Sequence, residues 1–545
     1  MDSNSLAPEL GNQETLGENH KATHTMGRVL SFATITAAGF VLGRISGLLR
    51  EMIVSARFGL SAELDAYFLA YTVPAIIDNV IAGSAIVAAA MPAFARYLTA
   101  NQRAEFWRVA SMLTNLVLIV SITLTILGML LATPIIGAFA PKMSAPTQTL
   151  AAALLVIVMP TLFLSALLNM LTAILNSVDR FVGPALIFLV LNLGIIGTVL
   201  ALSPAIGIYS LALGYLVGVV LQTLVQFFEL RAERAQYAFA LELRHPAFRE
   251  IGKAFLPIAA LAFVAQINIL IDKSMASALP AGSIGALQYA DTLLGTFYML
   301  GTSLGIAVFP SLSRLAATND LENTARTVAA SLRLLIFILM PLMFLLILFP
   351  IPIVGVILGR GRFDAGAIQM TAWALAAYAV GLVGVGAIYV LQRAFYALSA
   401  GKLPLFVGIG AVAVHLSLNL ILIPIFGHAG IALSVALTAL GSALALMILF
   451  ERRVPHFKIL PIFGFALKCA GLSAVIVLAD WLLSVGLRVG EQTLGDWLIA
   501  LAIAGLCGLS YLGIALALQI AEAHMLLRLL LKPLARLWFW KKDEA

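Results

Sequence analysis

The stretches GSAIVAAAMPAFAR at residues 83–96 and GTSLGIAVFPSLSR at residues 301–314 carry Gly, Pro and Arg at identical spacing: Gly83, Pro92 and Arg96 in the first, Gly301, Pro310 and Arg314 in the second. They stand about 220 residues apart, each across the end of a long apolar run, and two further pairs recur near the same offset. The turn Asp179-Arg180-Phe181-Val182-Gly183-Pro184 is echoed by Ala400-Gly401-Lys402-Leu403-Pro404. A run that opens Gly207-Ile208 and closes Phe228-Glu229-Leu230-Arg231 is echoed by one that opens Gly430-Ile431 and closes Phe450-Glu451-Arg452. One such pair is ordinary helix punctuation; three at nearly one offset mark a duplicated unit.

The duplicated unit is membranous. Of all residues 62% are hydrophobic and 11% charged, and the mean hydropathy is +1.04, far outside the range of soluble domains. Apolar stretches of about 20 residues recur about fourteen times. They start near Arg28, Leu64, Arg108, Thr149, Gly183, Ile206, Ala254, Ser283, Thr327, Ala365, Pro404, Gly430, Phe463 and Trp497. The runs are continuous rather than alternating, so the fold class expected is an all-α polytopic membrane protein, not a barrel.

The expected organisation is a polar N-terminus (1–27), a six-helix N-lobe (28–231), a linker (232–253), a six-helix C-lobe (254–453), two extra helices (454–520) and a basic amphipathic tail (521–545). An even helix number lets both lobes enter the membrane from one side, related by an axis along its normal. Two such lobes rocking about a cleft provide alternating access.

The net charge of +7 does not point to nucleic acid, because the cations gather in alternate loops. Arg96, Arg103 and Arg108, then Arg231, Arg234, Arg244, Arg249 and Lys253, then Arg452, Arg453 and Lys458 fall on one side; the other holds little more than Arg57, Lys142, Arg360, Arg362 and Arg488. The positive-inside bias puts the first group and both termini in the cytoplasm. The tail, with Arg528, Lys532, Arg536, Trp538 and Trp540, reads as an interfacial helix. Residues 1–27 lack the apolar core of a cleaved signal peptide. Cys469 and Cys507 sit in apolar segments without metal or disulfide spacing, no zinc pattern occurs among the histidines, and no phosphate loop for ATP is present.

Polar groups inside apolar spans mark the pathway, since an arginine at a helix centre costs at least about 2.5 kcal/mol. Arg44 and Arg50 lie in Gly43-Arg44-Ile45-Ser46-Gly47-Leu48-Leu49-Arg50-Glu51 and point to a transport cavity; an ion pair with Glu51 or Asp65, or snorkelling, is the structural alternative. Arg44 and Gly47 share a helix face, so the glycine leaves space for a ligand. The first half also carries Asp78, Asn79, Asn169, Asn176 and Asn192 within spans, the second Gln266, Asn268, Asp272, Lys273, Asp291, His415 and Asn419. Asp272 and Lys273 are adjacent and point in different directions. Asp272, His415 and Asn419 are candidates for ion or proton coupling, with helix-contact roles as the alternative. Gly214-x-x-x-Gly218 reads as close helix packing.

The residues now in view resemble the MurJ (MviN) family, the lipid II flippases of the MOP exporter superfamily. The resemblance runs through Gly43–Glu51, Leu64-Asp65-Ala66-Tyr67-Phe68, Leu287-Gln288-Tyr289-Ala290-Asp291, Phe309-Pro310-Ser311-Leu312-Ser313-Arg314 and Arg393-Ala394-Phe395-Tyr396-Ala397, and spans roughly residues 28–520. It implies a V-shaped pair of lobes, a cationic cavity for a pyrophosphate and sugar headgroup, and a groove beside helices 13 and 14 for the polyprenyl tail. It places Arg44, Arg50 and Asp65 at functional positions of the N-lobe. Where the family commonly has an arginine pair this chain has Asp78 and Asn79, and where it commonly has Ala-Asp-Arg this chain has Ala290-Asp291-Thr292. A diphosphate then meets a weaker positive field, with Lys273 the replacement cation.

The expectation is a non-enzymatic flippase of the bacterial inner membrane for an undecaprenyl-pyrophosphate-linked saccharide, lipid II first. Arg44 is the headgroup anchor, Arg50 supports it near the outer gate and Asp65 orients an arginine in one state; Asp78, Asn79, Lys273, Asp291 and Thr292 complete the substrate set. The partners are that lipid-linked glycan and membrane lipids. No cofactor is expected beyond a monovalent coupling ion or the membrane potential; the oligomeric state is open, and a monomer suffices. The alternatives are a flippase for an exopolysaccharide-type precursor, a cation-coupled small-molecule exporter on the same architecture, and a non-transporting scaffold.

Overall fold

The computed structural model describes residue 36 and residues 38–81, 84–232, 237–239, 241–242, 244–486 and 494–528. The segment 1–27, Arg28, Gly83, Arg234, Arg488 and the tail beyond Arg528 lie outside these. The described chain runs α1 (38–58), α2 (Ala62–Ile81), α3 (Ser84–Thr99), α4 (Arg103–Leu130), α5 (Ala132–Phe139), α6 (Ala145–Val158), α7 (Thr161–Ser177), α8 (Val182–Ile206), α9 (Tyr209–Ala232) and α10 (Pro246–Ala276). It continues as α11 (Ser283–Ala317), α12 (Leu321–Leu348), α13 (Pro350–Leu358), α14 (Ala365–Ala379), α15 (Leu382–Ala397), α16 (Lys402–Phe426), α17 (His428–Arg453), α18 (Ile459–Gly486), α19 (Leu494–Ala517) and α20 (521–528). No strand occurs among the described residues.

Among the described residues eleven helices are long and apolar enough to cross a membrane, or twelve when α14 and α15, bent by 44°, count as one span. The remaining two of the expected spans fall on α1 and on α2 followed by α3. The short helices α5 and α13 and the break at Val380-Gly381 were not foreseen from the sequence. The break has a packing cause: a Cβ on Gly381 would lie 2.5 Å from Ala436 Cα, and one on Gly384 2.9 Å from the Leu440 amide, so the chain turns where α15 presses on α17. The span expected to start at Thr327 starts at Leu321, because Asp320 caps it by accepting the Asn323 amide. Hydrogen bonds from the Asn323 side chain and amide hold the Asp320 carboxyl below the usual carboxylate range.

The backbone carries a repeat of its own. Asn101 (φ 57°) and Asn319 (φ 54°), Asp179 (φ 60°) and Ser399 (φ 53°), and Gly207 (φ 56°) and Gly427 (φ 58°) adopt left-handed conformations at helix ends, at the offset of the sequence landmarks. The chain reversals match as well. The amide of Gln102 donates to Tyr97 O and that of Asp320 to Leu315 O, both at 2.9 Å; Arg180 to Leu175 O and Ala400 to Phe395 O both measure 2.8 Å. A left-handed residue followed by this long reach-back satisfies the last carbonyls of a helix.

The chain divides into two compact units. One comprises residues up to Arg50, Tyr71–Ala132 and Ala153–Ala260; the other comprises Glu51–Ala70, Thr133–Ala152 and Leu261 onward. In the first, glycines set the seams. A Cβ on Gly194 would fall 2.6 Å from Gly218 Cα and one on Gly218 2.7 Å from Leu191 O, so Gly214-x-x-x-Gly218 brings α9 against α8 as expected. Phe94 and Phe106 are fully buried edge to face, 5.3 Å apart, between α3 and α4. The segment before α10 is strapped along α4: Ser111 accepts the Ala238 amide (3.2 Å), Arg108 pairs with Glu242 (2.6 Å) and Glu105 with His245 (2.8 Å).

In the second unit the two extra helices dock separately, α18 against α12 and α19 against α13. The Trp497 indole fills a notch made by Gly355 and Gly359 of α13, where a Cβ on Gly355 would stand 2.7 Å from the ring. Substituting Gly355→Leu should expel the indole and lower stability by about 1–3 kcal/mol, the usual result of overpacking. Thermal unfolding of the detergent-purified protein measures it. An unchanged midpoint would mean that this notch does not hold α19.

Candidate functional site

The first-unit residues are arranged along α1. Gly39, Gly43 and Gly47, four residues apart, turn one face of α1 to α8: a Cβ on Gly39 would fall 2.3 Å from Ala185 O and one on Gly43 2.8 Å from Phe188 Cβ. Below them Asn192, 4% exposed, fastens the seam by donating to Gly43 O (3.1 Å) and to the Ser46 hydroxyl (3.0 Å), while its Oδ1 accepts from Arg50 Nη1 (3.0 Å). Arg50 is thus held by an amide of the same unit. The space expected beside Gly47 is not open, since the Asn192 amide lies 3.5 Å from its Cβ direction. Arg44 is exposed, next to the glycine face and about 100° round the helix from Gly43. On α2, Asp78 is half-buried and accepts from Asn169 of α7 at 3.4 Å, and Asn79 is exposed.

The second-unit residues form two groups. Asp65, 4% exposed, accepts from the amides of Gly282 (2.6 Å) and Gly285 (2.7 Å), one per carboxylate oxygen. It sits where the first turn of α11 presents unpaired N–H groups and the positive end of its dipole. Gly282 is left-handed at φ +90°, which favours glycine there, and a Cβ on Gly285 would fall 2.9 Å from the tip of Leu60. Asp65 therefore holds a helix end in this state, with each oxygen on a backbone amide. Lys273 donates to Gln288 (2.8 Å), a residue not singled out as polar from the sequence, and lies 5.8 Å from the Phe68 ring centroid. Asp291 is exposed on α11, and the Thr292 hydroxyl is occupied by Gln288 O of its own helix (2.8 Å).

The other group is compact. Asp272 of α10, with 18% of its side chain exposed, pairs with His415 Nε2 at 2.6 Å and accepts from the Asn419 amide at 3.1 Å. His415 (2%) and Asn419 (0%) are buried on α16, and Asn419 Oδ1 is left with no partner. Lys273 does point elsewhere, as adjacency on a helix requires. Among the longer motifs, Arg393 and Phe309 come together, the guanidinium 5.9 Å from the ring centroid.

The second unit also holds an apolar groove of about 450 Å³, walled by α12, α15, α17 and α18, with Ile336, Met340, Leu444 and Phe463 among its lining. At its α12 end Arg333 pairs with Glu522 of α20 (2.7 Å) and stacks 4.5 Å over Phe465.

Comparison with known proteins agrees with this geometry. The family described as lipid II flippase MurJ matches residues 54–495. A lipid II flippase MurJ of Burkholderia cenocepacia is 28% identical over 77% of this chain and 84% of its own length, and a probable lipid II flippase MurJ of Vibrio cholerae is 28% identical over 90% and 97%. A solved lipid II flippase MurJ in an inward closed conformation superposes with a TM-score of 0.75 at 26% identity, over 88% of this chain and 98% of that one. An inward-facing multidrug resistance MATE transporter of the MOP superfamily shares the fold, with a TM-score of 0.65 at 16% identity over 76% and 94%. With its family match running through nearly all the membrane helices, this multi-pass membrane protein belongs to the lipid II flippase MurJ family.

Proposed function

We propose that the chain moves lipid II, a polyprenyl-diphosphate-linked saccharide, from the cytoplasmic to the outer leaflet of the bacterial inner membrane by alternating access, with both termini in the cytoplasm. The family match over residues 54–495 carries this reading. Arg44 is the headgroup anchor: it is exposed within an apolar helix whose adjacent face is fixed by glycines and Asn192, and a guanidinium fork suits a diphosphate. Arg50, already held by Asn192, sets the position of α1 rather than reaching for substrate. Asp78 makes the first-unit site less cationic, and Lys273 supplies charge in the second. The 450 Å³ groove against α18 matches the polyprenyl tail in chemistry. No bond is made or broken. Reconstituted proteoliposomes carrying labelled lipid II should expose it to an outside reagent faster than protein-free vesicles; equal rates would sink the proposal.

Asp272, His415 and Asn419 are the coupling site of this reading. A carboxylate, an imidazole and an orphaned amide oxygen, almost closed to solvent, can bind a proton or a monovalent cation, and occupancy biases α10 against α16. Asp272→Asn should remove the acceleration of translocation by an imposed proton or sodium gradient, a loss of about tenfold, while leaving lipid II binding intact. Acceleration that survives the substitution would reduce the cluster to a helix contact.

A further inference from the structure

On the side with few basic residues, three of the arginines come to one place. The α1–α2 turn and the α13–α14 loop interlock through backbone: the Arg362 amide donates to Ala56 O (2.9 Å), a Cβ on Gly361 would fall 2.3 Å from the same oxygen, and one on Gly59 2.5 Å from Arg362 O. Both glycines are left-handed at φ +61°, and Ser55 Oγ donates to Leu358 O (3.3 Å). The clamp rests on an aromatic stack, with Phe363 5.6 Å from Tyr289 and Tyr289 6.0 Å from Phe68. It carries Arg57, Arg360 and Arg362, all exposed, and among the described residues none of the three is in an ion pair. Arg360 donates to Ile357 O in the last turn of α13 (2.9 Å); the nearby Asp364 carboxylate is engaged by the Ala367 amide, and Glu63 lies on the first turn of α2.

We propose that Arg57, Arg360 and Arg362 form a phosphate-binding site for a lipid headgroup on the face opposite the basic loops. Cations on that face are not needed for topology, which is set by those of the cytoplasmic side. Loops between membrane helices lie at the depth of lipid phosphates, and a rigid backbone presenting guanidinium forks matches a phosphate's oxygens, with little left to order on binding. The three are arginine throughout, not lysine. The three arginines and Arg44 belong to different units of the chain, so each can be substituted without changing the other's residues.

The full chain, purified in a neutral detergent, is titrated with farnesyl diphosphate by calorimetry in an Arg44→Ala background. Adding Arg57→Gln, Arg360→Gln and Arg362→Gln should weaken binding about tenfold or more, and binding before these changes should weaken as salt rises. The pair Arg57→Gln and Arg362→Gln is measured beside the triple change, because neither side chain holds the clamp together. Competition by inorganic pyrophosphate means that the phosphate group alone suffices, and competition by phosphatidylglycerol micelles means that bulk anionic lipid occupies the site. Undiminished binding in both the triple and the pair, or no binding before they are introduced, overturns the proposal. A wild-type chain that binds no more tightly than Arg44→Ala would instead count against the Arg44 anchor.

Discussion

Arg44→Ala is expected to abolish translocation, lowering its rate roughly a hundredfold or more, while the protein still reaches the membrane in near-normal amount. The seam that places α1 on α8 is made by Gly39, Gly43, Ser46 and Asn192, so removing the Arg44 guanidinium should leave the helix where it is. What is lost is the fork that grips the diphosphate. Arg44→Lys keeps the charge but not the fork and should restore the rate only in part. Translocation by proteoliposomes, normalised to folded protein, separates the readings. A variant that fails to fold would make Arg44 a structural ion-pair partner.

Asp65→Ala should act in the opposite way, on stability first. Two amides of the α11 start lose their acceptor in a buried place, a loss of about 2–5 kcal/mol. Asp65→Asn keeps one acceptor oxygen and should cost about half as much. The unfolding midpoint in detergent, with abundance in the membrane, is the measurement. If Asp65→Ala melts like the wild type yet does not translocate, the carboxylate has a role in transport rather than in holding α11.

These contrasting expectations show where the sequence was informative. Helix content, the duplicated landmarks and the polar clusters were legible because each is local: an apolar run, a Pro or Gly at a fixed offset, an ionisable group where none is tolerated idly. Asp272, His415 and Asn419 were singled out separately on two spans, and folding brings them within hydrogen-bond distance. The repeat was read from Gly and Pro, while the structure repeats it through Asn101 and Asn319, whose left-handed conformation leaves only a weak compositional trace.

What remained hidden depends on partners without side-chain signatures. Asp65 binds backbone amides more than two hundred residues away, so nothing in its own surroundings distinguishes a helix clasp from an arginine partner. Gly47 promised space on its own helix, but its own helix does not report Asn192 of α8, whose amide nitrogen would stand 3.5 Å from a Cβ there. The notch for Trp497 pairs two glycines with an indole from a distant helix, and the strap on α4 joins charges, Arg108 and Glu242, that looked like plain loop polarity. The break between α14 and α15 follows from contact with α17, which no periodicity within residues 365–397 reports.

The most direct test of the translocation reading is the fraction of lipid II accessible from outside in cells depleted of their own lipid II flippase and expressing this chain. Accessible lipid II restored to the level of undepleted cells, and lost again with Arg44→Ala, is the expected result. Lipid II that stays inaccessible while the wild-type chain is folded in the membrane would contradict it.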